Sequence, residues 1–200
     1  AFQRGGNART GVILFCTPGR SLATPVNCAR IACQAASGHD ALWSGDEEKF
    51  EKLARLNMDV IAASGAKTVI FSCPEGYFTF KNNYAKLFGK LPFEVVYLTE
   101  FLAKEWNNAN FTFSGNGSGA VTFHDPCRLG RLSGMYDSPR TLIQNLPETK
   151  LLEMERSHIN AQCCGTSAWM ECSSCSKGTQ VERICEAKDT GAGTLITACP

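Results

Sequence analysis

Two ten-residue segments of the chain match closely, with six identical positions, and this repeat constrains the fold more than any other feature. The segments GAKTVIFSCP (65–74) and GAGTLITACP (191–200) lie 126 positions apart. Each begins with a glycine of the kind that ends helices, continues as an apolar run typical of a buried strand, and finishes in Cys-Pro. The repeat predicts that one structural unit occurs twice in the chain.

Two further pairs of segments align in the same order. GVILFCTPGR (11–20) parallels AVTFHDPCRLGR (120–131), and SGHDALW (37–43) parallels CGTSAW (164–169) with a one-residue insertion. Both members of the first pair are typical of a strand that ends in a turn with Pro, Gly, Cys and Arg. Three matches in one order predict a tandem pseudo-repeat.

The apolar pattern alternates between short strands and longer helices, which favours an α/β fold with mainly parallel sheets. The clearest helix runs from Asp46 to Ser64, because acidic residues stand at its amino end and Gly65 follows as its terminator. A helix is also expected over 21–36, and another is expected to begin at Ser138-Pro139 with the serine as its cap.

The polar, glycine-rich segment NNANFTFSGNGSG occupies positions 107–119 between the two halves. This composition is typical of a linker. We therefore predict two tandem, pseudo-repeated α/β units, the first over 1–106 and the second over 120–200.

Composition excludes several classes of protein. The chain has 20 basic and 19 acidic residues, so its net charge of +1 gives no reason to expect nucleic acid as a partner. It has no run of about 18 apolar residues and no signal peptide at its start, so we expect no transmembrane segment and a cytoplasmic location. In a reducing compartment, the 11 cysteines are more readily metal ligands or redox groups than a disulfide framework.

Five residues of the second half are expected to converge at one place: Cys127, Cys163, Cys164, Gly165 and Cys199. Each follows a predicted strand or lies in the irregular segment before the last helix. The carboxyl ends of parallel strands share one edge of a sheet, where ligands and catalytic groups gather. Gly165 allows the backbone to turn tightly beside a bulky centre. Metal binding and simple packing of small apolar side chains are both compatible with this pattern.

The first half lacks the paired thiols. Its counterpart of Cys163-Cys164-Gly165 is Ala36-Ser37-Gly38, although Cys16 and Cys73 stand where the second half has Cys127 and Cys199. We therefore expect no four-thiolate site there.

The spacing of these cysteines resembles the CCG (cysteine-rich) domain family of iron–sulfur oxidoreductases, in particular heterodisulfide reductase catalytic subunits of the B or D type. The family pattern is Cys, a spacer of thirty-odd residues, Cys-Cys-Gly, a second such spacer, and Cys-x-x-Cys. Here 35 residues separate Cys127 from Cys163, and 33 separate Gly165 from Cys199. The segments HDPCRLGR and YDSPRTLIQNLP are also similar to this family. By this resemblance, the first unit carries a degenerate motif, and the second is truncated before its last thiol.

The resemblance implies a non-cubane 4Fe-4S cluster held by Cys127, Cys163, Cys164 and Cys199. Adjacent cysteines suit a multi-iron centre, where each thiolate reaches a different iron. It implies an oxidoreductase subunit that relays electrons to a disulfide or reduces it. Its expected partners are redox subunits with cubane iron–sulfur clusters, and a flavin or membrane module that would bring it to the membrane. The alternative is a thiol-rich docking module with structural zinc or no metal.

His124 is the candidate catalytic residue, three positions before Cys127. It either donates a hydrogen bond or relays a proton beside the cysteines, or it caps the turn. Arg128 and Arg131 either offset the charge of a thiolate centre or bind an anionic substrate, or they serve the turn alone.

The remaining cysteines and histidines form a weaker pattern. Cys172 and Cys175 have the spacing of a redox dithiol or of a zinc pair. Cys185 is expected on the apolar side of its helix, and His39 and His158 are expected to be ordinary loop residues.

Overall fold

The structure is a computed structural model that describes residues 12–15, 28–29, 37–106, 119–165 and 174–199. These residues belong to two compact units, one on each side of the gap that follows Trp106. The expected linker at 107–119 lies outside the described residues, except for Gly119, so the predicted unit boundaries stay a prediction.

The described part of the first unit contains four strands in one parallel sheet of order β2-β1-β3-β4. Its elements in chain order are β1 (Val12–Phe15), β2 (Cys28–Ala29), α1 (His39–Trp43), α2 (Glu47–Ser64), β3 (Thr68–Phe71), α3 (Pro74–Phe78), a π-helical turn (Thr79–Tyr84), α4 (Ala85–Phe88), β4 (Glu94–Tyr97) and α5 (Leu98–Trp106).

Helix α2 forms as predicted because its ends carry their own signals. The Asp46 side chain accepts a hydrogen bond from the Lys49 amide at 3.0 Å, and Gly65 ends the helix in the left-handed conformation. Ala54 and Ile61 on one face are completely buried. Aromatic side chains fill much of the space beside the sheet, with Tyr77, Phe80 and Tyr84 fully buried.

The expected helix over 21–36 is wrong at its centre. Cys28 and Ala29 form strand β2, which pairs in parallel with Val12 and Ile13. Alanine has a high intrinsic helix propensity, but tertiary context often overrides propensity, and pairing with a neighbouring strand does so here.

Within residues 119–165 and 174–199, the second unit has three strands in a parallel sheet of order β6-β5-β7. Its elements are β5 (Gly119–His124), α6 (Asp137–Gln144), β6 (Thr149–Leu151), a 3-10 turn (His158–Asn160), α7 (Ser174–Asp189) and β7 (Thr194–Thr197). Val121 and Phe123 of the central strand pack with Ile143 of α6 to form the core. Helix α6 begins one residue before Ser138, so this serine is not its cap.

The predicted α/β class with parallel sheets is confirmed, since every recorded strand pair is parallel. The pseudo-repeat itself stays a prediction. None of the described helices is long and apolar enough to cross a membrane.

Candidate functional site

The carboxyl ends of β5 and β7 bring two of the predicted cysteines to one edge of the second sheet. His124 pairs with Thr197 in the register of these strands. Cys127 follows three residues after His124, and Cys199 follows two residues after Thr197. The Cys199 amide donates a hydrogen bond to the Thr197 hydroxyl at 3.3 Å, which holds the chain at the strand end.

A compact turn presents Cys127. The Pro126 carbonyl accepts a hydrogen bond from the Gly130 amide at 2.8 Å, and the Cys127 carbonyl accepts one from the Leu132 amide at 3.0 Å. A side chain at Gly130 would lie 2.6 Å from the Tyr136 ring, so the turn closes against that ring. Leu129 is completely buried and anchors the turn in the core, while Cys127 is exposed.

The Cys-Cys-Gly segment is fixed by Gly165. This glycine has φ of +72°, and a Cβ there would lie only 2.6 Å from the Ser176 carbonyl oxygen of α7. The Gln180 side chain donates a hydrogen bond to the Gly165 carbonyl at 3.1 Å. The Gly165 amide lies 3.4 Å from the Cys163 sulfur, within range of an N–H···S hydrogen bond. The segment is therefore seated on the first turns of α7.

Arg131 joins the Cys127 turn to the Cys-Cys-Gly segment. Its guanidinium donates a hydrogen bond to the Ala161 carbonyl at 2.7 Å and a longer one to the Ile159 carbonyl at 3.4 Å. Cys163 and Cys164 follow two and three residues after Ala161. The contacts of Arg131 are therefore structural: they hold the two cysteine segments side by side.

A largely buried ion-pair network lies next to the Cys127 turn and stabilises it. Asp125 receives two hydrogen bonds from Arg140, at 2.7 and 2.8 Å, and Arg140 also donates two to Glu153. One Asp125 oxygen also accepts the His158 amide at 2.8 Å. This contact holds His158, which has φ of +55°, in the left-handed region. Burial by itself would raise the pKa of Asp125, but Arg140 and the His158 amide hold that pKa below its usual value.

His124 is buried and accepts a hydrogen bond on Nδ1 from Arg183 Nε at 2.9 Å. Burial, followed by the charge of Arg183, lowers the pKa of His124 to about 4. The imidazole is therefore neutral at pH 7, so it can donate a hydrogen bond but does not hold a second proton for relay.

Burial and neighbouring charges both act on the Cys127 thiol. Partial burial of its sulfur raises the pKa of Cys127, and the Cys163 and Cys164 thiols raise it further. Arg128 opposes this rise, so its charge favours the thiolate form. We refer to Cys127, Cys163, Cys164, Gly165 and Cys199 as the cysteine edge.

Two further described cysteines lie in α7, and both are exposed. Cys185 is exposed rather than in the core, so that prediction is wrong: α7 has a weakly separated apolar face, and Val181 and Ile184 are exposed with it. Cys175 is exposed in the first turn of α7, and Cys172 lies outside the described residues.

Sequence reasoning missed a group in the first unit. His39 is buried in α1 rather than in a loop, and its Nδ1 lies 3.2 Å from Asp40 and 3.7 Å from Glu75. The ligand atoms of these three residues lie within 4.8 Å of one another, so they could hold a cation. The signal that could have found this group is the position of Glu75, in the first turn after β3 and so at the carboxyl edge of the first sheet.

Arg183 and Asp125 were also missed. Their partners His124 and Arg140 are 59 and 15 positions away in sequence, so no local pattern marks the contacts.

Comparison with known proteins identifies the second unit. Residues 121–200 match the family model described as CCG, the cysteine-rich domain. These residues belong to the CCG family. The resemblance predicted from the cysteine spacing is therefore confirmed, and the cysteine edge lies within the CCG domain.

Curated relatives extend the likeness over most of the chain. It is 34% identical over 157 residues, 77% of its length, to the D-type subunit of the dihydromethanophenazine:CoB–CoM heterodisulfide reductase from Methanosarcina barkeri. It is 33% identical over 167 residues to the "probable iron-sulfur-binding oxidoreductase FadF" of Bacillus subtilis, and 32% identical over 167 residues to EtfAB:quinone oxidoreductase of Syntrophomonas wolfei; each match covers 82% of the chain.

The chain spans well under half the length of these relatives: 38% of the Methanosarcina protein, 23% of FadF and 22% of the Syntrophomonas protein. All three are named as oxidoreductases or as part of a reductase.

Proposed function

We propose that the chain is an iron–sulfur redox subunit that relays electrons to a disulfide, or reduces it, within a multi-subunit oxidoreductase. The observation that carries the proposal is the cysteine edge: Cys127 and Cys199 follow the carboxyl ends of two paired parallel strands, and Arg131 ties the Cys127 turn to the chain just before Cys163. These residues lie in the CCG domain. Its relatives include a component of a heterodisulfide reductase and an iron–sulfur-binding oxidoreductase.

The donor set fits a cluster of several irons. Cys127, Cys163, Cys164 and Cys199 would be the ligands, and thiolates are the usual ligands of iron–sulfur clusters. Cys163 and Cys164 are adjacent, so each can reach a different metal atom, which favours the non-cubane 4Fe-4S type. Gly165 leaves no side chain between this pair and the backbone of α7.

When bound, such a cluster supplies single electrons and an iron site for substrate sulfur. Reduction of one disulfide consumes two electrons and two protons, so the electrons must come from a partner. The residues of the chain hold the edge rigid and adjust its charge. Arg128 favours the thiolate of Cys127, and neutral His124 is a hydrogen-bond donor three residues away.

The partners follow from the proposed reaction. We propose that subunits with cubane clusters supply the electrons, with a flavin or membrane module further upstream. A location in the cytoplasm, at the membrane through such partners, belongs to the same proposal.

The decisive experiment is anaerobic purification followed by iron, acid-labile sulfide and zinc analysis. We expect a brown protein with iron and sulfide in equal amounts. Single Ser substitutions of the four proposed ligands should remove most of the iron, whereas Cys185→Ser should retain it, because Cys185 is exposed on α7 away from the cysteine edge.

The competing function is a docking module that holds structural zinc. A colourless protein with zinc and no acid-labile sulfide would support that function and contradict ours. Equal iron loss in Cys185→Ser and Cys164→Ser would show that the ligand assignment is wrong.

A further inference from the structure

Arg183 is a charged residue buried in the second unit, with only 2% of its surface exposed. It lies in α7, the helix that also supports Gly165. A buried guanidinium is costly unless its N–H groups have partners, so its contacts indicate what holds it there.

Two nitrogens of Arg183 make specific contacts. Nη1 donates hydrogen bonds to the Arg156 carbonyl and to Glu186 Oε2, both at 2.9 Å. Glu186 also accepts the Arg156 amide at 2.6 Å, so the carboxylate is fixed in turn. Nε donates to Nδ1 of His124 at 2.9 Å.

The contact with His124 determines where the imidazole carries its proton. Arginine has five N–H donors and no acceptor, so Nδ1 of His124 must present a lone pair. A neutral imidazole with a lone pair on Nδ1 carries its proton on Nε2. A second proton on Nδ1 would face the guanidinium and break the hydrogen bond.

We propose that Arg183 is a positioning residue that holds His124 as the neutral Nε2–H tautomer, a fixed hydrogen-bond donor for anionic sulfur at the cysteine edge. The identity of the acceptor rests on the proposed function, while the tautomer rests on the contact alone. His124 then stabilises thiolate or sulfide charge and does not relay protons.

The charges around His124 agree with this assignment. Burial and Arg183 disfavour the imidazolium, and they outweigh the carboxylates of Asp125 and Glu186, which favour it. Glu186 contacts Arg183 directly, so part of its charge is already neutralised.

The test is nitrogen NMR of the full chain, prepared without iron and labelled with ¹⁵N in histidine. The chain has three histidines, and His124→Gln identifies the signals of His124. We expect Nδ1 to be unprotonated and Nε2 protonated from pH 5 to 8. In Arg183→Leu, the ¹⁵N chemical shifts of the two imidazole nitrogens should become more similar, because the two tautomers interconvert. These shifts should also titrate at a higher pH than in the wild type.

Two variants separate this role from general packing. Arg183→Lys keeps a cationic hydrogen-bond donor, so its spectrum should still show a protonated Nε2 and an unprotonated Nδ1 on His124. Arg156→Leu removes a side chain that contacts the same Glu186 from the exposed side, and it should leave His124 unchanged.

A wild-type His124 protonated on Nδ1 would overturn the proposal, even in a chain that binds iron. So would an unchanged signature in a folded Arg183→Leu. Absence of iron in the purified protein would contradict the proposed function and leave the tautomer result standing.

Discussion

Each unit has a left-handed glycine at a position that the predicted repeat aligns, and the surroundings of the two glycines differ. Gly38 has φ of +79° and Gly165 has φ of +72°. A Cβ at Gly38 would meet the Phe50 ring at 2.8 Å, whereas one at Gly165 would meet the backbone of α7 at 2.6 Å. The same local geometry is thus used beside an aromatic core in one unit and beside exposed thiols in the other.

In the first unit, aromatic side chains pack around the segment that contains Gly38. The Tyr84 hydroxyl donates a hydrogen bond to the Ser37 carbonyl at 3.0 Å and accepts one from Asn57 at 2.8 Å. Phe80 stacks on Tyr84 with ring centroids 3.9 Å apart. This arrangement anchors Ser37 and Gly38, which the predicted repeat aligns with Cys164 and Gly165, to an aromatic core.

Ion pairs and backbone hydrogen bonds support the second unit instead. The ion pair of Asp125 and Arg140 is buried, whereas Cys127 and Cys163 of the cysteine edge are exposed. A polar support of this kind holds the thiols in place without covering them, as the proposed exchange of electrons with a partner requires.

The largest expected effect is that of Gly165→Ala. Left-handed strain of about 1–2 kcal/mol adds to an overpacking cost of about 1–3 kcal/mol, and the opposing backbone has little room to move. Gly38→Ala should cost less, because the Phe50 side chain can shift. Gly191→Ala has the same strain with nothing nearby, so it is the control. Urea unfolding measures all three, and a Gly38→Ala loss larger than that of Gly165→Ala would contradict the comparison.

Arg140→Met should destabilise the second unit by about 3–5 kcal/mol, because it leaves Asp125 buried without its counter-charge. In the first unit, Tyr84→Phe should cost about 1–2 kcal/mol, since it removes only neutral hydrogen bonds. Thermal or urea unfolding gives the loss of unfolding free energy for both variants. A larger loss in Tyr84→Phe than in Arg140→Met would show that the polar network is not the main support of the cysteine edge.

The pH dependence of the free energy of unfolding should reveal the lowered pKa of His124. Its folded-state pKa of about 4 lies below the ordinary value of 6.5, so below pH 6.5 the unfolded state binds a proton that the folded state excludes. Stability should therefore fall by on the order of 3 kcal/mol between pH 6.5 and 4. His124→Gln should flatten this part of the profile. An unchanged slope in that variant would show that His124 titrates normally.

Much of the fold was readable from sequence because its signals are local. The caps of α2 and the apolar runs of β3, β5 and β7 identified those elements within a few residues. The error at Cys28 and Ala29 arose because strand pairing is a long-range interaction. The positions of the edge cysteines followed from strand ends, but Arg183, Asp125 and the exposure of Cys185 depend on contacts that only the folded chain creates.

We propose that the second unit holds the iron and that the first unit does not. The most direct test is the iron content of two matched variants, Cys199→Ser and Cys73→Ser, which alter the Cys-Pro positions that the predicted repeat aligns. We predict that Cys199→Ser loses most of the iron and acid-labile sulfide, and that Cys73→Ser keeps the wild-type amount. Loss of iron in Cys73→Ser with retention in Cys199→Ser would contradict the account.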